Sequence, residues 1–427
     1  MPRSRTDTVL FLAWVLPSFI QGVSGFGTPI ALCAPLLVAV GVAGIRAVAL
    51  TLIGYHWAVG FGSVGSSFYM GALTARLDQT QTAAFANSAA IVLGVNAILA
   101  GLLVALMHAG WCGLRESWPL LITVGPAMAV VQWLVVGYAP AIGALCAGAA
   151  GIVLFLAVQL LRFKTATSAR TDPPGAARSH GLRALTAATP HLALAVLALA
   201  VLAPPPVRAF VHSHLLIGPS FPATSTERGV VNDAVTTYNP IALLGHPGVF
   251  LLAGCAVGLV VWRASGAWRP GTWAEVRKPW LAQALKASPS VVLLAAIAGV
   301  LVDTGMIRAV ALGTAAVAGP AYPALAPLIG ALGSFITGST TSSNALFSAL
   351  QRDVATLTAV PPEDLLAAQL AGGNIGNSLT PMVALLGTSA IGRPGTEGQA
   401  VRRTLPAAAA LLVSAIAVTF VLLAIHS

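Results

Sequence analysis

The chain has 427 residues, of which 57% are hydrophobic and only 8% are charged, and its formal net charge is +10. Soluble domains carry about 25% charged residues, so this composition excludes an ordinary soluble protein and indicates one that crosses a membrane several times. The basic residues are scattered between apolar segments and form no continuous basic run, which argues against a nucleic-acid partner.

Apolar runs near the length that spans a lipid bilayer, about 20 residues, follow one another along almost the whole chain. They predict an all-α polytopic membrane protein with about a dozen transmembrane or re-entrant segments, some of them too short to cross alone. The predicted segments are 8–23, 29–45, 47–64, 82–107, 119–136, 140–162, 185–203, 246–262, 288–303, 307–336, 340–351, 364–392 and 404–425.

A stretch of small residues interrupts the sequence after the first apolar run, at 21–29. Helices stop at membrane depth only where protein or a water-filled cavity satisfies the freed backbone groups, so this stretch is a candidate binding site. Gly25 and Gly27 permit close backbone approach, and Pro29 suits the first position of a new helix. A gentle kink is the alternative. The predicted substrate-binding residues here are Ser24, Gly25, Gly27 and Thr28.

A second interruption follows at 60–67, in the sequence Gly-Phe-Gly-Ser-Val-Gly-Ser-Ser. Just ahead of it, His56 lies between Tyr55 and Trp57. Because histidine titrates near neutral pH, His56 is a candidate for proton coupling. The alternative is a hydrogen-bonded histidine of the apolar core.

Basic residues gather in two loops that separate later segments. The first loop contains one acidic residue, Asp172, and the second contains Glu275. Since cytoplasmic loops carry an excess of Lys and Arg, both loops are predicted to face the cytoplasm, with the N-terminus on the same side. The basic residues are Arg162, Lys164, Arg170, Arg178 and Arg183 in the first loop and Arg263, Arg269, Arg277, Lys278 and Lys286 in the second.

The stretch 165–184, rich in Pro, Ala and Ser, is predicted to be a cytoplasmic linker between an N-terminal transmembrane half, 1–164, and a C-terminal one, 185–427. Phe19-Ile-Gln-Gly22 in the first half is echoed by Phe335-Ile-Thr-Gly338 in the second. Interrupted segments in corresponding positions of two halves are typical of secondary transporters built from repeats. We therefore predict two repeat-related halves with broken helices.

Six consecutive polar side chains form the most unusual break of the C-terminal half. Ser, Thr and Asn compete with helical backbone bonding and favour helix caps, so a half-helix should begin here with its positive dipole end directed at a ligand. Such an end suits a carboxylate, whereas helix packing is the alternative use of these residues. The predicted substrate-binding residues are Ser339, Thr340, Thr341, Ser342, Ser343 and Asn344.

A further break is predicted at 372–378, in the sequence Gly-Gly-Asn-Ile-Gly-Asn-Ser. It corresponds in position to the break at 60–67, because each follows the preceding break of its half after a similar length of chain. The predicted substrate-binding residues here are Gly372, Gly373, Asn374 and Asn377.

Asp303 is the acidic residue set deepest in an apolar run. Ionisable groups inside a membrane are functional candidates, so Asp303 joins His56 as a predicted proton-coupling residue. The alternative is a helix end at which Asp303 pairs with Arg308.

No pattern for metal binding or catalysis is recognisable. The four cysteines, Cys33, Cys112, Cys146 and Cys255, lack the spacing of a zinc site or a disulfide framework. No Ser-His-Asp set or pair of carboxylates is evident either. We therefore expect no cofactor, no metal site and no enzymatic activity.

Several motifs together identify a resemblance. They are Gly25-Phe-Gly-Thr-Pro29 with Ala34-Pro-Leu36, Gly60-Phe-Gly-Ser-Val-Gly65, Trp273-Ala-Glu-Val-Arg277, Thr304-Gly-Met306, Pro327-Leu-Ile-Gly-Ala-Leu-Gly333, Thr337-Gly-Ser339 with Thr341-Ser-Ser-Asn-Ala-Leu-Phe347, and Gly372-Gly373 with Pro381. Through them the chain resembles the lactate permease family, which includes glycolate permeases. The resemblance implies a proton-driven importer of lactate, glycolate or a related 2-hydroxy monocarboxylate in the plasma (inner) membrane.

The chain also departs from the pattern of that family. Family members usually have additional spans ahead of the Gly-Phe-Gly-Thr-Pro motif, so we expect a shortened N-terminus. Part of the scaffold is then either missing or supplied by a partner, which would be a further copy of the chain in a homo-oligomer or an accessory subunit. An Asp or Asn is common where Thr340 stands, and a Lys where Asn377 stands. Asp303 occupies a position where an uncharged polar residue is expected.

The sequence therefore predicts a secondary active transporter in the lipid bilayer, with small monocarboxylates and protons as its partners. Two alternatives stay open. One is a sodium-coupled carrier of another small organic anion, because hydroxyls and exposed carbonyls also coordinate Na⁺. The other is a membrane sensor or subunit that does not transport.

Overall fold

The structure, a computed structural model, describes residues 4–25, 27–164, 189–227, 229–238 and 240–426. Among these residues, six helices are long and apolar enough to span a membrane, or up to eight spans if each bent helix pair counts as one. These observations confirm the predicted all-α polytopic membrane protein. The predicted linker 165–184 lies outside the described residues.

The chain folds as two compact units. Unit 1 consists of residues 1–163 and 294–427, and unit 2 consists of residues 164–293. All the predicted site residues belong to unit 1, whose two chain segments come from the two halves of the sequence.

Unit 1 begins with a helical hairpin. Helix α1, Arg5–Val23, contains a π-type turn at Phe11–Val15, and after a short break helix α2, Thr28–Ala39, returns along it. We call α1 and α2 the first hairpin. The break lies within the interruption predicted at 21–29.

A broken helix follows the first hairpin. It consists of α3, Gly44–Tyr55, extended by a 3₁₀ turn at His56–Ala58, and α4, Ser66–Thr74, preceded by a 3₁₀ turn at Ser63–Gly65. The two parts are bent by 46° relative to each other. We call α3 and α4 the first broken helix.

Two long helices complete this segment of unit 1. Helix α5, Gln79–Val136, changes direction at Ala109 and Gly110, where the backbone leaves helical geometry, and α6, Gly143–Lys164, follows it. The two arms of α5 pack closely, since a Cβ on Gly94 would lie 3.0 Å from the Cβ of Ala129.

The described part of unit 2 contains four helices, the last of which extends into unit 1, and four short strands. Helix α7, Thr189–Leu202, and α8, Pro205–Ser213, form a pair bent by 94°. Strands β1, Leu216–Ile217, and β4, Ile241–Ala242, pair antiparallel, as do β2, Thr224–Ser225, and β3, Val231–Asn232. Helices α9, Pro247–Ala264, and α10, Thr272–Asp303, follow, and the end of α10 belongs to unit 1.

The second chain segment of unit 1 repeats the order of hairpin and broken helix. After α11, Met306–Ala318, helices α12, Tyr322–Thr337, and α13, Thr340–Leu357, form the second hairpin. The second broken helix consists of α14, Pro362–Asn377, and α15, Pro381–Ala390, and α16, Glu397–His426, closes the unit.

The two hairpins open toward opposite ends of unit 1. Arg5 Nη2 donates to the carbonyl oxygen of Gly41 at 2.5 Å, which closes the open end of the first hairpin, and the first broken helix begins beside it. The far end of that broken helix meets the open end of the second hairpin, because Arg352 Nη1 donates to the carbonyl oxygen of Ala75 at 2.9 Å. The second broken helix therefore runs opposite to the first.

The break at 372–378 was predicted too early in the sequence. Gly372, Gly373 and Asn374 lie inside α14, and the chain leaves the helix only at Ser378–Thr380. The glycines serve close helix packing: a Cβ on Gly372 would lie 1.9 Å from the carbonyl oxygen of Pro327 on α12. Glycine here lets two backbones touch without ending the helix.

Candidate functional site

All four helix breaks of unit 1 meet at one pocket. The space between protein atoms there is about 500 Å³, including the part that is open to solvent. The lining residues are Gln21, Gly27, Tyr55, Val59, Ser63, Ser66, Ser67, Gly338, Ser339, Thr340, Thr341, Asn377, Met382, Val383 and Leu386.

The pocket is surrounded by the N-terminal ends of four half-helices. Gly27 caps α2, Ser66 begins α4, Ser339 caps α13, and Met382 lies in the first turn of α15. The first N–H groups of a helix have no partner within it, and its N-terminus carries a partial positive charge. Four such ends create a favourable environment for an anion.

The tip of the second hairpin contributes the predicted hydroxyl residues. Gly338 ends α12 in the left-handed conformation, with φ of +75°, and the Ser339 side chain caps α13 by accepting from the backbone N–H of Ser342 at 3.4 Å. Thr340 and Thr341 occupy the first turn and line the pocket. The half-helix predicted from this sequence therefore begins where expected.

The two halves of the chain are joined by hydrogen bonds beside the pocket. The hydroxyls of Ser67 on α4 and Thr341 on α13 lie 3.0 Å apart, and Asn344 Nδ2 donates to the carbonyl oxygen of Ser67 at 2.9 Å. At the other end of α4, Thr74 Oγ1 donates to the carbonyl oxygen of Asn344 at 3.1 Å. These bonds hold the second half-helix of the first half against the second hairpin.

Some of the predicted residues lie behind the pocket wall. The Ser343 hydroxyl donates to the carbonyl oxygen of Gly330 at 2.9 Å and accepts from Gln369 Nε2 at 3.1 Å. Thr340 Oγ1 donates to the carbonyl oxygen of Gly373 at 3.1 Å. The predicted residues of α13 and α14 that do not line the pocket are Ser342, Ser343, Asn344, Gly372, Gly373 and Asn374.

The first break contributes backbone more than side chains. Gly27 lines the pocket, whereas the exposed Ser24 donates its hydroxyl to the carbonyl oxygen of Ile20 at 3.2 Å. Gly25 packs against the second break, because a Cβ there would lie 1.5 Å from Ser63 Oγ. Thr28 begins α2 and does not line the pocket.

A left-handed turn shapes the break between α3 and α4. Ser63 and Val64 have φ of +50° and +59°, and Gly65 continues with +71°. This conformation is unusual for a non-glycine residue and strained for a β-branched one such as Val64. Strain of this kind costs about 1 to 3 kcal/mol and clusters at functional sites.

Several lining residues were missed in the list of predicted site residues. Gln21 precedes the first break, and Tyr55 lies one residue before His56. Ser66 and Ser67 begin α4, a position that only the location of the break reveals. The polar stretch 60–67, which predicts this break, is the sequence signal for both serines.

The pocket lining contains both polar and apolar side chains. Hydroxyls and amides come from the four breaks, while Val59, Met382, Val383 and Leu386 supply an apolar wall. None of the described lining residues carries a charged side chain. An anion would therefore be held by hydrogen-bond donors and helix ends instead of an ion pair.

The two predicted proton-coupling residues do not line the pocket. Asp303, at the end of α10, forms an ion pair with Arg76 instead of the Arg308 considered from sequence. His56 is fully buried, and its Nδ1 lies 2.7 Å from the carbonyl oxygen of Ile53. Either residue would have to act on the pocket through its neighbours.

The amino-acid sequence is similar to those of known permeases. The sequence profile of the L-lactate permease family matches residues 3–426. The glycolate permease GlcA of Escherichia coli (strain K12) is 28% identical over 432 residues, covering 93% of this chain and 74% of that protein. The L-lactate permease of Bacillus subtilis (strain 168) is 26% identical over 453 residues, covering 97% of this chain and 78% of that protein. No solved structure matches the chain.

Proposed function

The chain belongs to the L-lactate permease family, and we propose that it imports lactate, glycolate or a related 2-hydroxy monocarboxylate by proton symport. Membership of this family supports a transporter of small hydroxy acids rather than an enzyme. The individual acid, the coupling ion and the binding residues are the content of the proposal.

The convergence of four half-helix N-termini on one uncharged pocket carries the proposal. A carboxylate can accept hydrogen bonds from those first-turn N–H groups that are not bonded within the protein, while the helix dipoles offset its charge. A full cationic side chain would hold an anion more tightly, but a carrier has to release its substrate in every cycle. The proposed contacts are those predicted residues that line the pocket, with Gln21, Ser66 and Ser67 added.

The remainder of the substrate would use the rest of the pocket. Ser67 and Thr341 offer hydroxyls that can bond the 2-hydroxyl group, while Val59 and Met382 can contact a short alkyl chain. A second carboxylate would meet this apolar wall without a charged partner among the described lining residues, so dicarboxylates should be excluded.

The opposite directions of the two hairpins support alternating access. Inverted repeats with discontinuous helices place the substrate near the middle of the membrane, where each repeat can open toward one side. We propose that residues 5–74 and 322–390 are such repeats. The protein would lie in the plasma membrane with its N-terminus in the cytoplasm, as the basic loops predict. It would act alone, as a homo-oligomer or with an accessory subunit.

Proton symport requires a group that takes up and releases one proton in each cycle. Co-transport of one proton with one monocarboxylate anion is electroneutral, so uptake should follow the pH difference more than the membrane voltage. Asp303 and His56 stay candidates for this group.

Sodium coupling is the second candidate, and one observation favours it. Ser334 Oγ and Asn344 Oδ1 are buried and have no hydrogen-bond partner among the described residues. Both lie near the place of a Cβ on Gly373, at 3.2 and 3.8 Å. Uncharged oxygens of this kind can coordinate Na⁺.

Transport in liposomes tests the proposal. Purified protein should accumulate radiolabelled L-lactate or glycolate when the pH is lower outside, and a protonophore should abolish the accumulation. Empty liposomes are the control, and an excess of unlabelled succinate should compete poorly. Accumulation that follows a sodium gradient at equal pH would replace the proton with Na⁺, and no uptake of either acid by inserted protein would contradict the proposal.

A further inference from the structure

One ion pair of unit 1 differs from the others in its chemistry. Elsewhere among the described residues a carboxylate pairs with an arginine, as in Asp7 with Arg162 and Asp353 with Arg352, but Asp364 pairs with His426. A guanidinium keeps its charge at every physiological pH. Histidine is the side chain that ordinarily changes charge in that range. The charge of this pair can therefore change during a transport cycle.

The carboxylate of the pair is enclosed and the imidazole is accessible. Asp364 is 0% exposed, whereas 39% of the side-chain surface of His426 is exposed. Ser88 Oγ on α5 donates to Asp364 Oδ1 at 2.7 Å, and His426 Nδ1 on α16 lies 2.9 Å from Oδ2. Three helices of unit 1, α5, α14 and α16, therefore meet at this carboxylate.

The contact fixes which nitrogen exchanges its proton. An ionised carboxylate can only accept hydrogen bonds, so His426 Nδ1 carries a hydrogen and the exchangeable proton binds at Nε2. With that proton the pair has no net charge. Without it, Asp364 is a buried charge held only by neutral donors, which costs considerable free energy.

Other ionisable groups near α14 do not replace the histidine. Among the described residues, the hydrogen bonds and ion pairs of Asp364 involve Ser88 and His426. The helices packed against α14, and α14 itself, carry further groups that bond elsewhere or lack a contact with Asp364. These groups are Glu363 on α14, Tyr69 on α4, Asp78 at the start of α5, His108, Cys112, Arg115 and Glu116 on α5, Tyr322 on α12, Arg352 and Asp353 on α13, Glu397, Arg402 and Arg403 on α16, and His56 after α3.

Helix α14 connects this pair with the pocket. Asp364 lies in its first turn, and Asn377, its last residue, lines the pocket. The helix rises by about 20 Å from Asp364 to Asn377. Midway along the helix, Gln369 bonds Ser343 of the second hairpin. A shift of α14 would therefore change the pair and the pocket together.

We infer that the Asp364 and His426 pair is the site that carries the coupled proton. This inference rests on the proposed proton symport. One proton binds His426 Nε2 while the pocket faces the side of higher proton activity, and the same proton leaves after the pocket has turned to the other side. The neutral pair lets the carrier turn with substrate bound, the deprotonated pair holds the substrate-bound carrier in place, and the empty carrier returns with the pair deprotonated.

Replacing the histidine with a permanent cation tests the inference. In His426→Arg the pair keeps its neutral form, as the arginine pairs elsewhere do. Exchange of external radiolabelled L-lactate for internal L-lactate needs no net proton movement and should persist within about 2-fold of wild type. Accumulation driven by an inward proton gradient should fall by about 10-fold or more, within the range of coupling between linked sites.

Two further variants complete the experiment. Glu363→Gln removes a carboxylate beside the pair and should leave both activities at wild-type level, while His426→Gln replaces His426→Arg if that variant fails to insert and should lose accumulation by the same factor. Gradient-driven accumulation by His426→Arg or His426→Gln at the wild-type level would overturn this inference alone. Absence of both exchange and accumulation in the wild-type protein would overturn the proposed function and this inference with it.

Discussion

The first hairpin meets the pocket through backbone, whereas the second meets it through hydroxyl groups. Gly27 represents the first tip in the pocket lining, with Gln21 before it, while Ser339, Thr340 and Thr341 represent the second. Both tips end in left-handed glycines, with φ of +80° at Gly27 and +75° at Gly338. The two hairpin tips therefore share a backbone conformation but differ in what they present to the pocket. The first tip presents mainly backbone, and the second presents hydrogen-bonding side chains.

The broken helices show a similar division. The first turns through the left-handed residues Ser63 and Val64, and the second through the unstrained Ser378–Thr380. Each carries a glycine that touches a carbonyl of its own hairpin: a Cβ would lie 1.8 Å from the oxygen of Ala13 at Gly54, and 1.9 Å from that of Pro327 at Gly372. The two broken helices therefore share a packing contact between a glycine and their own hairpin, and they differ in the turn that borders the pocket.

The largest expected effect is at the shared packing contact. Gly54→Ala and Gly372→Ala should each lower the yield of folded protein, because the methyl group meets backbone that must move, at a cost of about 1 to 3 kcal/mol or more. Thermal unfolding in detergent measures the loss. Gly398→Ala is the control, since its Cβ would meet open space. Tolerance of the change in one half alone would show that the halves do not share this contact.

A smaller effect is expected at the two tips. Gly338→Ala and Gly27→Ala should raise the KM for substrate, because alanine resists the left-handed backbone and its methyl would lie 2.8 Å from Met382 Cε or 2.3 Å from Leu386 Cδ1. Gly392→Ala imposes a similar backbone strain at φ of +69°, with nothing within 4 Å of the new atom. A KM change in Gly392→Ala as large as at the tips would place the effect in backbone strain and not in the pocket.

The hydrogen bond between the halves should give a moderate effect. Ser67→Ala and Thr341→Val each remove one hydroxyl of a pair 3.0 Å apart, which is worth about 0.5 to 1.5 kcal/mol. Each variant should raise the KM for L-lactate by about 2-fold to 10-fold. The double variant should be little worse than either single one, since both remove the same contact. Full additivity in this double-mutant cycle would contradict a direct interaction.

The smallest effect is expected at the strained turn. Val64→Gly should leave thermal stability unchanged or raise it slightly, because relief of the left-handed strain offsets the added freedom of the unfolded chain. Val153→Gly, on the exposed face of α6, should instead cost about 0.5 kcal/mol or more through lost helix propensity. Equal losses in the two variants would show that Val64 is not strained.

The sequence predicted the fold class and the position of three breaks. Glycine and proline at 25–29, and the polar run beginning at Ser339, reveal helix ends through local chemistry alone. The fourth break was placed too early because Gly372 and Gly373 look like helix breakers in sequence. Their role in close packing depends on α12, which no local pattern encodes.

The candidate site could be predicted only in part for a related reason. Thr340 and Thr341 line the pocket, but the neighbouring Ser343 and Asn344 point to other helices, because a helix directs successive residues to different faces. Ser67 and Asp364 gain their importance from partners more than 270 residues away in sequence. Such contacts require the tertiary structure.

The central claim is that one pocket, built by both halves, binds the transported acid. Protection from a thiol reagent tests it most directly, with single cysteines at Ser66 and Ser339 in a background without Cys33, Cys112, Cys146 and Cys255. L-lactate should slow modification of both cysteines with the same half-saturating concentration, and should not affect a cysteine at the exposed Ser389. Protection of only one pocket cysteine, or of neither while uptake persists, would contradict the claim.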